Sequence, residues 1–245
     1  MDMNYDLKAE MAKLPEPVDK PWPDWDHWRY LLWHDAQTEP PETFTTLRIT
    51  RHNMLSGWLP VDVAWEQVKD NLKRYGPAMA SPAADLPQYG GYDRNMVRLV
   101  GWVAFWEKNT GQRVEELDHV LEVGAGFGAL RLAFHHLGFQ GEYGILDLPE
   151  MIIFQTWFLS RFCIPFTPWR PGPCDLLVAY CSLSEMPIDE RDKAYKEAKP
   201  KSCLFEYSPS YHGRDNIAWW AEKRKEWKGK TAATINNDMP IEVWW

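Results

Sequence analysis

From residue 119 onward, short apolar runs alternate with helical patterns, and this alternation constrains the fold more than any other feature. The runs begin near residues 119, 141, 174, 201, 231 and 241, and each has the length and composition of a buried strand. Strands joined through helices pair in parallel and need cover on both faces of the sheet. The sequence therefore predicts an α/β fold with right-handed crossovers, closed by an antiparallel hairpin around the polar turn 236–240.

The first part of the chain lacks this alternation and carries helical patterns alone. Apolar stripes predict helices over residues 24–35, 61–75 and 93–109. Asp62 and Asp93 precede two of these stripes as expected N-terminal caps, and Gly111 follows the last one as an expected stop. We expect an N-terminal arm and helical lid or substrate region over 1–117, and a ligand-binding sheet domain over 118–245.

Charge and composition exclude several classes of function. The formal net charge is −8, from 27 Lys and Arg against 35 Asp and Glu, which opposes binding to phosphates, so we expect no nucleic-acid partner. No apolar stretch is long enough to cross a bilayer and the N-terminus is polar, so we expect a soluble cytoplasmic protein without a membrane partner. The histidines and cysteines lack metal-ligand spacing, so we expect no metal site.

Three glycines, Gly124, Gly126 and Gly128, separate the first predicted strand from a helical pattern. Glycine lets the backbone approach a ligand closely, and the following helix presents its positive end to that ligand. Together with Ala129 the same residues match the GxGxxG/A pattern of dinucleotide-binding folds. The turn predicts a nucleotide-like ligand, and by itself it leaves a dinucleotide and S-adenosylmethionine as alternatives.

Two acids flank this glycine turn. A carboxylate at Glu122, two residues before Gly124, would repel a pyrophosphate but attract the cationic amino-acid end of S-adenosylmethionine. Asp147 ends the next strand, 19 residues beyond Gly128, where an acid accepts hydrogen bonds from the ribose hydroxyls of either ligand. Glu122 therefore favours the sulfonium nucleoside, whereas Asp147 does not discriminate between the two.

Four segments resemble a known family: VLEVGAGFG, ILDLPEM, DLLVAYCSLSEMP and LFEYSP. Over residues 118–210 the chain resembles the sugar O-methyltransferase family within the class I S-adenosylmethionine-dependent methyltransferases. The resemblance implies a Rossmann-like, seven-stranded, mostly parallel sheet of order 3-2-1-4-5-7-6, with the last strand antiparallel. It also implies that Ser182, Ser184 and Glu185 line the mouth where the methyl group leaves.

The remaining site candidates follow from the turn, its acids and the strand ends. The cofactor-binding candidates are Glu122, Gly124, Ala125, Gly126, Phe127, Gly128, Asp147, Leu148 and Tyr180. For the proton of a hydroxyl acceptor, Glu185 is the first candidate base and His212 the second, with a capping or surface role as the alternative for each. Tyr89, Tyr92 and Arg94, beside a Gly-Gly loop, are candidates for a substrate-contacting flap.

These candidates favour an S-adenosylmethionine-dependent methyltransferase that acts on a sugar or another small hydroxylated metabolite. Two other functions stay open. One is an NAD-dependent oxidoreductase, because the glycine pattern fits both ligands. The other is a non-catalytic scaffold, because the N-terminal segment is rich in tryptophan and the segment 163–172 offers no acid for an adenine amino group.

Overall fold

A computed structural model describes residues 5–20, 25–38, 61–80, 82, 88–236 and 239–245. Its N-terminal part contains helices and one small hairpin: α1 Leu7–Met11, α2 Trp25–Thr38, α3 Asp62–Val68, α4 Leu72–Tyr75, β1 Gln88–Tyr89, β2 Tyr92–Asp93 and α5 Arg94–Thr110. All three predicted helical regions are therefore confirmed. The last of them is the longest and leads into the sheet.

The predicted helix ends are confirmed for α5 and corrected for α3. Asp93 caps α5 by accepting a hydrogen bond from the backbone N–H of Met96 at 2.8 Å, and Gly111 ends it in the left-handed conformation. Asp62 is not a cap, because α3 begins at it and its carboxylate instead accepts the hydroxyl of Tyr89 at 2.5 Å. The helix predicted over 61–75 is also interrupted by a 3-10 turn at Lys69–Asn71.

The C-terminal part contains every predicted strand and helix of the alternating segment. The elements are β3 His119–Val123, α6 Ala129–His136, β4 Glu142–Leu146, α7 Pro149–Ser160, β5 Thr167–Pro168, β6 Leu176–Tyr180, α8 Ser182–Glu185, α9 Ile188–Ala198, β7 Ser202–Glu206, β8 Ser210–Tyr211, β9 Arg214–Asp215, α10 Asn216–Glu226, β10 Thr231–Asn236 and β11 Met239–Trp244. The sequence pattern missed the two-residue strand β5 and the small hairpin β8–β9, since neither has an apolar run.

The central sheet has seven strands in the order β10-β11-β7-β6-β3-β4-β5. Neighbouring strands are parallel except that β11 is antiparallel to both β7 and β10. If the seven strands of this sheet are renumbered 1 to 7 in chain order, starting with β3, their order from the β5 edge is 3-2-1-4-5-7-6. The predicted Rossmann-like fold is therefore confirmed. A dinucleotide-binding sheet has the order 3-2-1-4-5-6, without a last strand inserted in this way.

Both faces of the sheet are covered by apolar side chains. One core joins the N-terminal helices to one face, and it includes Leu32, Trp102 and Val178. A smaller core on the other face contains Trp219 and Trp220 of α10 together with Trp244 of β11. The helical segment before the boundary predicted at 117/118 and the sheet after it therefore contribute side chains to one apolar core. Within the described ranges, no helix combines the length and apolarity needed to cross a membrane.

Candidate functional site

The glycine turn lies where β3 ends, at the carboxyl edge of the parallel strands. Gly124, Gly126 and Gly128 have φ values of 70°, 57° and 95°, which side chains of L-residues rarely tolerate. A Cβ on Gly124 would lie 2.2 Å from the Cβ of Ser182, so only glycine fits there. The turn therefore presents backbone to the edge of the sheet at which α/β folds bind ligands.

Asp147 follows β4 and holds the glycine turn from the side. One of its carboxylate oxygens, Oδ2, accepts hydrogen bonds from the backbone N–H of Ala125 at 3.0 Å and from the side chain of Gln155 at 2.7 Å. Among the described residues, its Oδ1 accepts the backbone N–H of Leu148 alone, at 2.8 Å, and Asp147 is half-buried. Burial raises the pKa of Asp147 to about 6. Near neutral pH it can therefore accept further hydrogen bonds as a carboxylate.

Gln155 is a contributor that the sequence reading missed. It lies on α7 and is completely buried, and its side-chain nitrogen also donates to the carbonyl of Gly126 at 2.9 Å. A single amide inside the apolar helix α7 was the signal that could have identified it, because an isolated buried polar group needs partners. The Gly124–Gly128 turn, Asp147 and Gln155 form what we call the glycine-turn cluster.

Glu122 lies in a buried position on β3, two residues before the glycine turn. Its side chain is 3% exposed, and one carboxyl oxygen accepts the hydroxyl of Tyr143 on β4 at 2.7 Å. Burial raises the pKa of Glu122 to about 8, so the group is mostly protonated at neutral pH. It therefore lies beneath the turn as a neutral acid. An attraction between Glu122 and a cationic ligand stays a prediction.

The other residues of the turn contribute backbone more than side chain. Phe127 is buried, and its ring packs edge-on against Phe158 with centroids 4.9 Å apart. Ala125 is also buried, and it contributes the N–H that Asp147 binds. Leu148 is half-buried at the start of α7. Of the predicted cofactor residues, the structure thus brings together the turn, Asp147 and Leu148.

Glu185 ends α8, directly beyond β6, and is held by a residue far away in sequence. The indole N–H of Trp25 on α2 donates to its Oε2 at 3.0 Å. Burial raises the pKa of Glu185 to about 7, and this hydrogen bond acts in the opposite direction. A carboxyl group with a pKa near 7 can both accept and release a proton at neutral pH.

Two arginines hold the backbone that carries Glu185. Arg191 is fully buried and donates to the carbonyls of Ser184 at 2.9 Å and Met186 at 3.3 Å. Arg214, on β9, donates to the carbonyls of Glu185 at 2.8 Å and Met186 at 2.9 Å. Three consecutive carbonyls are thereby fixed from two directions. Trp25, Glu185, Arg191 and Arg214 form what we call the Glu185 cluster.

The hydroxyls of Ser182 and Ser184 are used to build this segment. Ser182 packs on Gly124 and donates to the carbonyl of Val123, which ties the segment to the glycine turn. Ser184 is buried, donates to the carbonyl of Cys181 and accepts the backbone N–H of Ser208 at 3.3 Å. Ser182 is half-buried, whereas Ser184 has no surface through which to line a mouth.

His212 lies outside both clusters, in the tight turn between β8 and β9. It is exposed, has a φ of 50°, and its ring lies against Tyr211 with centroids 4.3 Å apart. The same hairpin carries Arg214 of the Glu185 cluster. The structure therefore places His212 on an element that contacts Glu185, but gives the imidazole itself a surface position.

Tyr180, at the end of β6, lies beside Glu206 at the end of β7, an acid that was not predicted from the sequence as a site residue. Tyr180 is half-buried and donates to the carbonyl of Leu99 at 3.4 Å, with the guanidinium of Arg98 5.8 Å from its ring centroid. Arg98, on α5, pairs with Glu206 at the end of β7. Glu206 is buried, and its Oε1 has no hydrogen-bond partner within the described part of the chain.

The predicted flap residues pack against the N-terminal helices. The rings of Tyr89 and Tyr92 lie 5.8 Å and 6.2 Å from the ring of Trp65 on α3. Arg94 is half-buried at the first position of α5. The described contacts of the two tyrosines are therefore with α3 and not with the glycine turn, and a role in binding substrate stays a prediction.

Helix α2 contacts the Glu185 cluster and also α7, the helix that carries Gln155. Trp25 at its start bonds Glu185, and Arg29 one turn later forms a two-pronged ion pair with Glu150 at 3.0 Å and 2.8 Å. Glu150 is buried in the first turn of α7, three residues beyond Asp147. The N-terminal region is thus fixed to both sides of the candidate site. No group of three or more metal-binding side chains occurs among the residues described.

Comparison with known proteins gives only distant similarities. No family model and no curated protein sequence matches the chain. Among solved structures it is similar to Precorrin-6y C5,15-methyltransferase from Geobacter metallireducens, with 10% identity over 69% of this chain and 98% of that one and a TM-score of 0.48. A SAM-dependent methyltransferase from Aquifex aeolicus shows 13% identity over 56% and 85%, with a TM-score of 0.42. The SAH-bound methyltransferase PaMTH1 from Podospora anserina shows 12% over 75% and 88%, with a TM-score of 0.42. Similarity at this level carries no inference about ligand or activity.

Proposed function

We propose that the protein is an S-adenosylmethionine-dependent methyltransferase whose cofactor lies against the glycine-turn cluster. The observation that carries the proposal is the placement of Asp147 beside three left-handed glycines, at the carboxyl edge of a sheet whose last strand is inserted antiparallel. The left-handed glycines suit close approach of a nucleoside, and Oδ1 of Asp147 retains capacity for ribose hydroxyls. The inserted strand β11 favours this ligand over a dinucleotide.

The proposed reaction is transfer of a methyl group to a hydroxyl oxygen. When bound, S-adenosylmethionine supplies a methyl group on a sulfonium sulfur, which an aligned oxygen can displace. The ionised Glu185 carboxylate accepts the hydroxyl proton at Oε1, while its Oε2 stays bonded to Trp25. The methyl group would come from the bound cofactor, and Glu185 would hold the acceptor's proton until solvent removes it.

The proposed acceptor is a sugar or another small hydroxylated metabolite. Trp25 places a half-buried indole beside Glu185, and aromatic faces pack well against sugar rings while their N–H group stays bonded. The net charge of −8 disfavours nucleic acid as the acceptor. Formation of S-adenosylhomocysteine with a panel of monosaccharides, nucleotide sugars, phenols and RNA would identify the acceptor class.

Binding of S-adenosylhomocysteine tests the cofactor directly. At a hundred times its dissociation constant, a ligand stabilises the native state by about 2.7 kcal/mol, which a melting curve detects. We expect this shift with S-adenosylhomocysteine and none with NADH. A shift with NADH alone would favour an oxidoreductase, and no shift with either ligand would favour a scaffold.

Asp147→Ala should weaken binding of S-adenosylhomocysteine about 10- to 100-fold, because a hydrogen bond from the ligand to a charged group is lost. Asp175→Ala is the matched control, since that acid also accepts two backbone N–H bonds at 2.8 Å but precedes β6 at the opposite edge of the sheet. Titration calorimetry on variants with native circular dichroism measures both. Equal affinities of the two variants would contradict the assignment of Asp147.

A further inference from the structure

We infer that Gln155 is a positioning residue of the cofactor site, which fixes Asp147 and the glycine turn relative to each other. The inference rests on the proposed function, because the ligand whose site is positioned is the proposed nucleoside. Gln155 is eight residues beyond Asp147 and two turns into α7, so the contact is made by tertiary packing of the helix. It gives a role to a residue that neither binds the acceptor nor takes part in proton transfer.

The geometry determines which way the amide faces. Its two partners are the carboxylate of Asp147 and the carbonyl of Gly126, at 2.7 Å and 2.9 Å, and both are acceptors. Only the nitrogen of the Gln155 amide can donate to them, so the orientation follows from the chemistry of the partners. The carbonyl oxygen of the amide, Oε1, then has no hydrogen-bond partner within the described residues.

With Oε1 unpaired among the described residues, the contacts of the amide are those of its nitrogen. Burying an amide oxygen without a partner costs free energy, and Gln155 is surrounded on its helix by the buried Phe154 and Phe158. An apolar residue of similar size would avoid the cost. The contribution of the amide therefore lies in the two bonds that it donates.

Those two bonds orient the acid for a ligand. Gln155 and the N–H of Ala125 both donate to Oδ2 of Asp147, whereas Oδ1 accepts one described hydrogen bond, from the N–H of Leu148. The carboxylate plane is thus fixed by donors from the turn and from α7, and Oδ1 keeps room for a ribose hydroxyl. The bond from Gln155 also favours the ionised form of Asp147, against the burial that raises its pKa to about 6.

The test is calorimetric titration of S-adenosylhomocysteine into the full chain between pH 5.5 and 8.5. Gln155→Met keeps the volume but donates nothing, so affinity at pH 7.5 should fall about 10-fold, the value of one hydrogen bond to a charged group. Because the lost bond stabilised the carboxylate, the pKa of Asp147 rises. The pH at which affinity declines on acidification should therefore move upward from about 6.

Thr156→Val is the matched control, since the neighbouring hydroxyl donates to the carbonyl of Ile152 on its own helix. This variant should keep the wild-type affinity and pH profile. If the wild type binds and Gln155→Met matches Thr156→Val in both, the inference is overturned. If the wild type itself gives no heat, the proposed function fails instead, so the two failures are distinct.

Gln155→Glu covers the case in which Gln155→Met does not fold. A carboxyl at this position can donate to Asp147 only while the pair shares a proton, and above neutral pH two carboxylates would repel each other. Affinity should therefore fall as pH rises, opposite to the wild type. A profile that keeps the wild-type direction would contradict contact between the two side chains and overturn the inference.

Discussion

The glycine-turn cluster and the Glu185 cluster lie at the same edge of the sheet but are assembled from very different distances in sequence. The first uses residues 124–155, so a single strand-turn-helix-strand-helix unit contains it. The second joins Trp25 to Glu185 across 160 positions and adds Arg214 from a hairpin that has no apolar pattern. A ligand site made from one local unit can be predicted from spacing, whereas a site made by distant contacts cannot.

The two clusters also differ in how burial acts on their acids. Burial raises the pKa of Asp147 to about 6, while three hydrogen-bond donors favour its ionised form. Glu185 has a raised pKa of about 7 and one donor, the indole of Trp25. The first acid is suited to holding hydroxyl groups, and the second to exchanging a proton.

The largest effect is expected from Glu185→Gln. An amide cannot accept the acceptor's proton, so turnover should fall about 100-fold or more. Affinity for S-adenosylhomocysteine should stay at the wild-type value, because the change lies in the other cluster. Glu190→Gln, at an exposed position on α9, is the control. Normal turnover of Glu185→Gln would transfer the role of base to His212 or leave the reaction without one.

An intermediate effect is expected at Gly124, where the glycine-turn cluster touches α8, the helix that carries Glu185. Gly124 and Gly111 have similar φ values of 70° and 73°. Alanine at either position therefore costs about 1–2 kcal/mol of stability for its left-handed backbone. Only at Gly124 would the new Cβ meet another residue, Ser182 at 2.2 Å, while nothing lies within 4 Å at Gly111. Gly124→Ala should therefore lose about 1–3 kcal/mol more in urea unfolding. Equal losses would show that the segment after β6 moves freely and that the clusters are not joined.

The smallest effect is a shift in a pH profile, produced by Trp25→Phe. Turnover of the wild type should rise with pH through about 7, because Glu185 acts only when ionised. Removing the indole N–H removes a bond to the ionised form, so the pKa rises and the profile moves upward by about one unit. Trp28→Phe, in the core on the same helix, should lower stability without moving the profile. If the pH profile of Trp25→Phe is unshifted, the indole of Trp25 does not influence the proton transfer at Glu185.

The glycine turn was predictable because its requirements are local. Gly124, Gly126 and Gly128 between a strand and a helix specify a turn at the end of a buried strand, and Asp147 at the next strand end falls beside it by sheet register. Asp93 and Gly111 at the ends of α5 were predictable for the same reason, since a helix cap is decided within a few residues. The interruption of the helix predicted over 61–75 was not, because the apolar stripe continues across Lys69–Asn71 to Leu72 and Tyr75.

The chain's own periodicity determined its α/β class, the order of its strands and helices along the chain, and the place of the glycine turn, because apolar spacing and glycine act over a few residues. Only the tertiary structure decided that Glu122 is buried against Tyr143, that Gln155 reaches Asp147, and that Trp25 meets Glu185. Burial and long-range contact depend on how whole helices pack on the sheet. A residue's charge and partners therefore emerge only when the fold is complete.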